Sequence, residues 1–194
     1  MNKTYLSTLL FTVVFSAASI ANDFKKGVYQ LNRGEFQAAI EEFEPLVADN
    51  YAPAQYQMAK LLLNGYGTQK DPQRALELLN KADKQNYSDA QFALSVLYSE
   101  GEIVEKDLTK AFELMRKAAL KEMPSAQFNL GVMYSQGTGV KQDHYQASRW
   151  YKKSANQNYA LAQFNLALMY FEGKGVEQSD YWSYVWNSVA AMGG

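Results

Sequence analysis

The chain has 194 residues, enough for one domain with a full core or for four to five small repeats. It is 47% apolar and 20% charged with a net charge of -1, which excludes a disordered chain and gives no electrostatic basis for holding nucleic acid or an anionic membrane surface. Cysteine is absent, which excludes disulfides, thiolate nucleophiles, thiolate metal sites and a lipid anchor attached to a cysteine after an export cleavage site.

The first 21 residues have the three-part layout of a secretory signal peptide. Lys3 supplies positive charge, Tyr5 to Phe15 run almost wholly apolar, and small residues lead to Ala21. Cleavage is expected between Ala21 and Asn22. The apolar run is too short to cross a bilayer as a helix, and nothing after it is long enough, so the mature chain is expected to be exported and soluble, in the periplasm or beyond it.

From residue 54 onward one unit recurs every 36 residues. Ala54-Gln55-Tyr56, Ala90-Gln91-Phe92, Ala126-Gln127-Phe128 and Ala162-Gln163-Phe164 keep that step, as do Gly65, Gly101, Gly137 and Gly173 and also Asp71, Asp107 and Asp143. A fixed period of this length means stacked supersecondary units, none of which can bury its apolar face alone. Within a unit, Ala126, Leu130, Met133 and Tyr134 lie on one helical stripe. Gly137-Thr138-Gly139 breaks that helix, and Asp143 stands where its carboxylate can cap the next one. Ala147, Trp150, Tyr151 and Ser154 give the inner face of the second helix. Small residues at 75, 111 and 147 let helices approach, and Leu78, Leu114 and Trp150 fill the space beside them.

The best copy, Ala126 to Val140 (AQFNLGVMYSQGTGV), resembles the Sel1-like repeat, a longer-looped relative of the tetratricopeptide repeat. The resemblance covers residues 54 to 194 and implies an all-α fold, a right-handed α-solenoid of stacked helix–turn–helix repeats. The expected units are 54–89, 90–125, 126–161 and 162–194. They follow a capping copy at 22–53, where Gly34-Glu35-Phe36, Ala39 and Phe43 resemble an ordinary tetratricopeptide turn and second helix. Ala59, Ser95 and Ala167 depart from the Gly of the Leu-Gly pair, and Gly101-Glu102-Ile103 has lost its second glycine.

In tetratricopeptide arrays the first helices line a concave groove. Carried over, that places Gln57, Asn129 and Asn165 on the groove, then Lys60, Val132 and Leu168, then Gln136, Phe171 and Glu172, while Leu61, Leu97, Met133 and Met169 belong to the core. The amides of Asn129 and Asn165 can both donate and accept, which suits a peptide backbone. At the C-terminal end Trp186 matches Trp150 and is expected in the core, whereas Trp182 matches Gln146, has no core slot and is a candidate for docking another protein or a second copy.

Catalytic readings find little support. The Gly-x-Gly triplets lack the strand and third glycine of a dinucleotide loop and recur as turns. His144 is the only histidine and is expected at the surface, so neither a metal centre nor a catalytic triad is expected. Glu41, Glu42 and Glu44, and the pairs Lys25-Lys26 and Lys152-Lys153, read as solvated helix faces. The expected function is therefore a non-catalytic scaffold without cofactor that binds a partner protein or peptide; the alternative is recognition of peptidoglycan or another cell-wall ligand.

Overall fold

The computed structural model describes residues 17–193, so most of the expected export segment lies outside it. Ten α-helices and no strands make up the described residues. They form five antiparallel pairs: α1 (Ala17–Asn32) with α2 (Phe36–Ala48), α3 (Ala52–Asn64) with α4 (Pro72–Lys84), α5 (Ser88–Glu100) with α6 (Leu108–Leu120), α7 (Pro124–Gln136) with α8 (His144–Ala155), and α9 (Ala160–Glu172) with α10 (Asp180–Met192). Each helix packs on its neighbours in sequence, so the pairs stack in chain order. The first helices open two residues ahead of the Ala-Gln word. Helix α1 runs through the expected cleavage point after Ala21.

Local chemistry sets the boundaries. The Asp71 carboxylate accepts from the Arg74 N–H at 2.9 Å, and Asp107 and Asp143 repeat that bond with Lys110 and Gln146. Ser179 caps α10 in the same place, its hydroxyl accepting from the Trp182 N–H at 3.3 Å. Each cap contributes about 1 kcal/mol. At the other end of each first helix, Gly65, Gly101, Gly137 and Gly173 take φ between 67° and 77° and close the last turn. Between repeats the turn residue is Asn50, Asn86, Glu122 or Asn158, all at φ near 60°. That left-handed conformation suits asparagine and costs glutamate more.

Three apolar clusters run along the array. The first spans α2 to α6 around Phe43, Met58, Leu79 and Leu94; the second centres on Met115 and Leu130; the third on Tyr151 and Leu166. Small and large residues trade places between repeats. A Cβ on Gly131 would stand 2.7 Å from the Tyr151 ring, so the glycine of the best copy makes room for the tyrosine of its own second helix. Ala59, Ser95 and Ala167 occupy the same place in the other copies.

The tightest contacts lie between repeats. A Cβ on Gly139 would meet the Leu108 carbonyl oxygen at 1.9 Å, and one on Gly175 would meet that of His144 at 2.0 Å. The second glycine of each triplet therefore rests on the backbone at the start of the preceding second helix. Gly137, by contrast, has nothing nearer than 3.3 Å. Gly139→Ala is expected to cost about 3 kcal/mol or more and Gly137→Ala about 1 kcal/mol, read from urea unfolding; equal losses would contradict the backbone contact. Glu122→Asn is expected to raise stability by about 0.5 kcal/mol by relieving the left-handed turn, and an unchanged urea midpoint would count against it.

Candidate interaction surfaces

Each first helix buries one face and leaves another open. On α3 the open face carries half-buried Gln57 and exposed Lys60 and Asn64; on α7 it carries half-buried Asn129 and Val132 and exposed Gln136. On α9 it carries half-buried Asn165 and exposed Leu168, Phe171 and Glu172. These are equivalent places on three of the four 36-residue repeats, three and four residues apart, hence on one side of each helix; on α5 the same places hold Ala93, Val96 and Glu100. Leu61, Leu97, Met133 and Met169 are buried, as expected.

The groove residues differ in what they have left to offer. Asn129 and Asn165 each donate one amide N–H to the carbonyl four residues back, Ser125 at 2.8 Å and Leu161 at 2.9 Å. A second N–H and the carbonyl oxygen remain for a ligand. Gln57 and Lys60 share a cleft of about 270 Å³ with Leu31, Phe36 and Tyr66. The Gln57 Oε1 atom is buried there with no hydrogen-bond partner among the described residues, and the Lys60 ammonium sits 5.3 Å from the Tyr56 ring centre. Val132 turns partly into the third cluster, and Glu172 is paired with Lys174 at 3.0 Å.

The last pair is the least covered part of the described chain. Of twelve large apolar side chains well exposed there, eight belong to α9 and α10, including Leu161, Phe164, Phe171, Tyr181 and Tyr184. Tyr184 stands where Phe112 is buried in an inner repeat, and Asn187 where Leu79, Met115 and Tyr151 are buried. Trp182 is half-exposed, with its ring 6.3 Å from Tyr170 and 5.2 Å from Tyr181. Trp186, expected in the core, is half-buried at the rim of the third cluster, as its match Trp150 is at the rim of the second; α10 buries no residue fully, and no further described helix covers its outer side.

The residues weighed for catalysis stay apart. His144, expected at the surface, is half-buried at the start of α8, and its Nδ1 is shut from solvent without a partner among the described residues. Among the described residues no group of three His, Cys, Asp or Glu could hold a metal ion. Two of the three glutamates of α2 are tied to neighbouring helices: Glu42 pairs with Lys26, and Glu44 takes Arg74 through both oxygens at 2.8 and 2.9 Å. Among the described residues the one strongly displaced titration is the Tyr87 phenol, pushed well up by burial and by the nearby Asp89, where it packs against Tyr56 between two repeats.

A cleft of about 640 Å³ escaped the sequence reading. It lies between α8 and the α9–α10 loop, lined by Tyr145, Ser148, Arg149, Lys152, Tyr170 and Trp182 among others. The signal for it was present in the period: position 149 is arginine where 77 and 113 are glutamate.

Among the described residues no helix is long and apolar enough to cross a membrane. No curated protein matches the chain. Among solved structures it is similar to a protective antigen of uropathogenic Escherichia coli with the SLR fold, at 35% identity and a TM-score of 0.78 over 80% of this chain. The chain spans 33% of that protein's length. It is also similar to a Sel1 repeat protein of Oxalobacter formigenes, at 30% identity and a TM-score of 0.82, covering 88% of this chain and 70% of that one. A Sel1 repeat protein of Klebsiella pneumoniae shares the fold at 22% identity and a TM-score of 0.61, covering 92% of this chain and 88% of that one. The family model for the Sel1 repeat matches residues 52–87, 88–122, 124–159 and 160–181, in register with the four helix pairs from α3 to α10. The chain belongs to the Sel1 repeat family.

Proposed function

We infer that this protein is an exported, non-catalytic scaffold that holds an extended segment of a partner protein along the open faces of its first helices. The observation that carries the reading is the recurrence of polar groups with spare hydrogen-bonding capacity at one place of the 36-residue register in three of the four Sel1 repeats. Gln57, Asn129 and Asn165 hold that place, each with a free acceptor or donor, and Ala93 interrupts the row in the second repeat. An extended peptide presents backbone donors and acceptors at regular spacing, so the adjacent amides of Asn129 and Asn165, with Gln57 farther along, can follow it without reading its side chains. Leu168 and Phe171 add apolar contact at one end of the row.

Peptidoglycan binding is a second reading, favoured by the exposed rings of Phe164, Phe171 and Tyr181, flat apolar faces of the kind that sugars stack on. Two measurements address these readings. The mass of the protein recovered from the cell envelope is expected to lack residues 1–21; retention of the full chain would overturn export by a cleaved signal. Residues 22–194, used as bait in envelope extract, are expected to capture a protein that the Asn129→Ala, Asn165→Ala, Glu172→Ala variant loses. Capture unaffected by the three changes would move the site off the groove. Sedimentation of the chain with purified peptidoglycan, with no protein captured, would replace the scaffold reading by the second.

A further inference from the structure

Ser148 sits at a position that the repeats fill differently. Its equivalents are Leu76 and Phe112, and at the middle junction the Phe112 ring is buried edge-on against Tyr134 at 5.2 Å. Serine leaves that space empty between α8 and the last repeat, while its hydroxyl reaches the Tyr145 carbonyl at 2.8 Å and the Gly175 carbonyl at 3.1 Å and so holds the loop in place. An open cleft lies there, as one does at the register-equivalent place beside Leu76 and Ile103, whereas the Phe112 ring occupies that position at the middle junction. None of the groove residues lines it.

Its charge also breaks the pattern. In the middle repeat Glu113 faces Arg116 at 3.9 Å, one turn apart. The equivalent pair here is Arg149 and Lys152, two cations on one helix face, and neither meets a carboxylate within ion-pair distance among the described residues. Like charges one turn apart repel, so the two cations do not stabilise α8 through each other, although Lys152 in the last turn suits the helix dipole. Glu177 is the one acidic residue of the lining. Aromatic rings complete the walls: Tyr145, exposed and with the Arg149 guanidinium 5.8 Å from its centre, Tyr170, and Trp182, which replaces the Lys110 and Gln146 of inner repeats.

We propose that this cleft is a second binding site, which takes an acidic peptide segment of a protein partner, its carboxylates on Arg149 and Lys152 and an adjoining apolar side chain against Trp182 and Tyr170. A guanidinium and an ammonium with no internal counter-ion supply the attraction, and the cleft beside Ser148, where no ring such as that of Phe112 intrudes, supplies room to seat a side chain. It accounts for Trp182 without the self-association that an exposed tryptophan would otherwise suggest.

The probe is a short fluorescein-labelled peptide of alternating Glu and Leu, with a counterpart carrying Lys in place of Glu, each titrated against the full chain by fluorescence anisotropy. The acidic peptide is expected to bind about tenfold tighter than the basic one and to weaken as salt is raised. Arg149→Glu with Lys152→Glu is expected to abolish that preference, and Ser148→Phe to remove binding by filling the gap with the ring that Phe112 already places at the middle junction. Unchanged thermal unfolding followed by circular dichroism separates these losses from misfolding. The Asn129, Asn165 and Glu172 variant of the groove is expected to bind the probe as the parent does, so failure of one site is distinguishable from failure of the other. Equal binding of the two peptides, or full binding by the charge-reversed chain, would overturn the proposal. So would binding of chitotetraose that depends on Trp182 and ignores the charge reversal, since it would make the cleft a sugar site.

Discussion

Stacking in this protein rests on backbone lying against backbone. Gly139 and Gly175 approach the first carbonyls of the preceding second helices so closely that no side chain fits between them. Side-chain packing tolerates exchange, as the swaps of Gly131 for Ala59, Ser95 and Ala167 show, but a main-chain contact has no rotamer to adjust. That contact fixes where each loop sits, and the loop fixes where the capped second helix begins. Where the glycine is missing, at Ile103, the side chain packs against the first cluster and lines a crevice beside Gln73 and Lys110.

A row of buried amides adds register to this stacking. Gln55, Gln91, Gln127 and Gln163 are all buried, and each sends its amide toward the preceding turn or helix end: to Asn50 at 2.8 Å, Asp83 at 2.9 Å, and the Ala119 and Ala155 carbonyls at 3.3 and 3.2 Å. Gln85 and Gln157 close the network on Gln55 and Gln127 from the neighbouring helix. A buried amide that slipped by one turn would lose these partners at about 1–3 kcal/mol each, so the row opposes sliding of one pair past the next more than it adds to cohesion.

What could be read in advance follows from the range of the forces involved. Caps, helix-ending glycines and the inner stripes depend on neighbours within one turn, and the Asp71, Asp107 and Asp143 caps and the Gly65 to Gly173 series stand where the period puts them. The buried Ala-Gln word was visible as a repeat, but its role was not, since its partners lie in the preceding repeat. The open positions on the first helices could be assigned to a face, whereas the self-bonding of Asn129 and Asn165 and the pairing of Glu172 with Lys174 depend on rotamers. Trp186 was expected in the core by its match to Trp150, yet both lie at the rim of a cluster, a half-covered place that residue type does not reveal. The cleft was hidden because it is walled by α8 of one repeat and by the loop of the next, and no single window of sequence contains both.

The thin burial of α10 bears on how the array comes apart. A helix with no fully buried residue has little to lose on opening, so α10 is expected to open before α9, which buries five residues, and before α3 to α6. The cleft spans that weak junction, with one wall on α8 and the others on α9, its loop and α10. A ligand seated there would hold the last pair onto the rest, stabilising it with the logarithm of ligand concentration above its Kd. Fraying and recognition are then opposite ends of one equilibrium, and the end of the solenoid that is easiest to open is also the one a partner can lock.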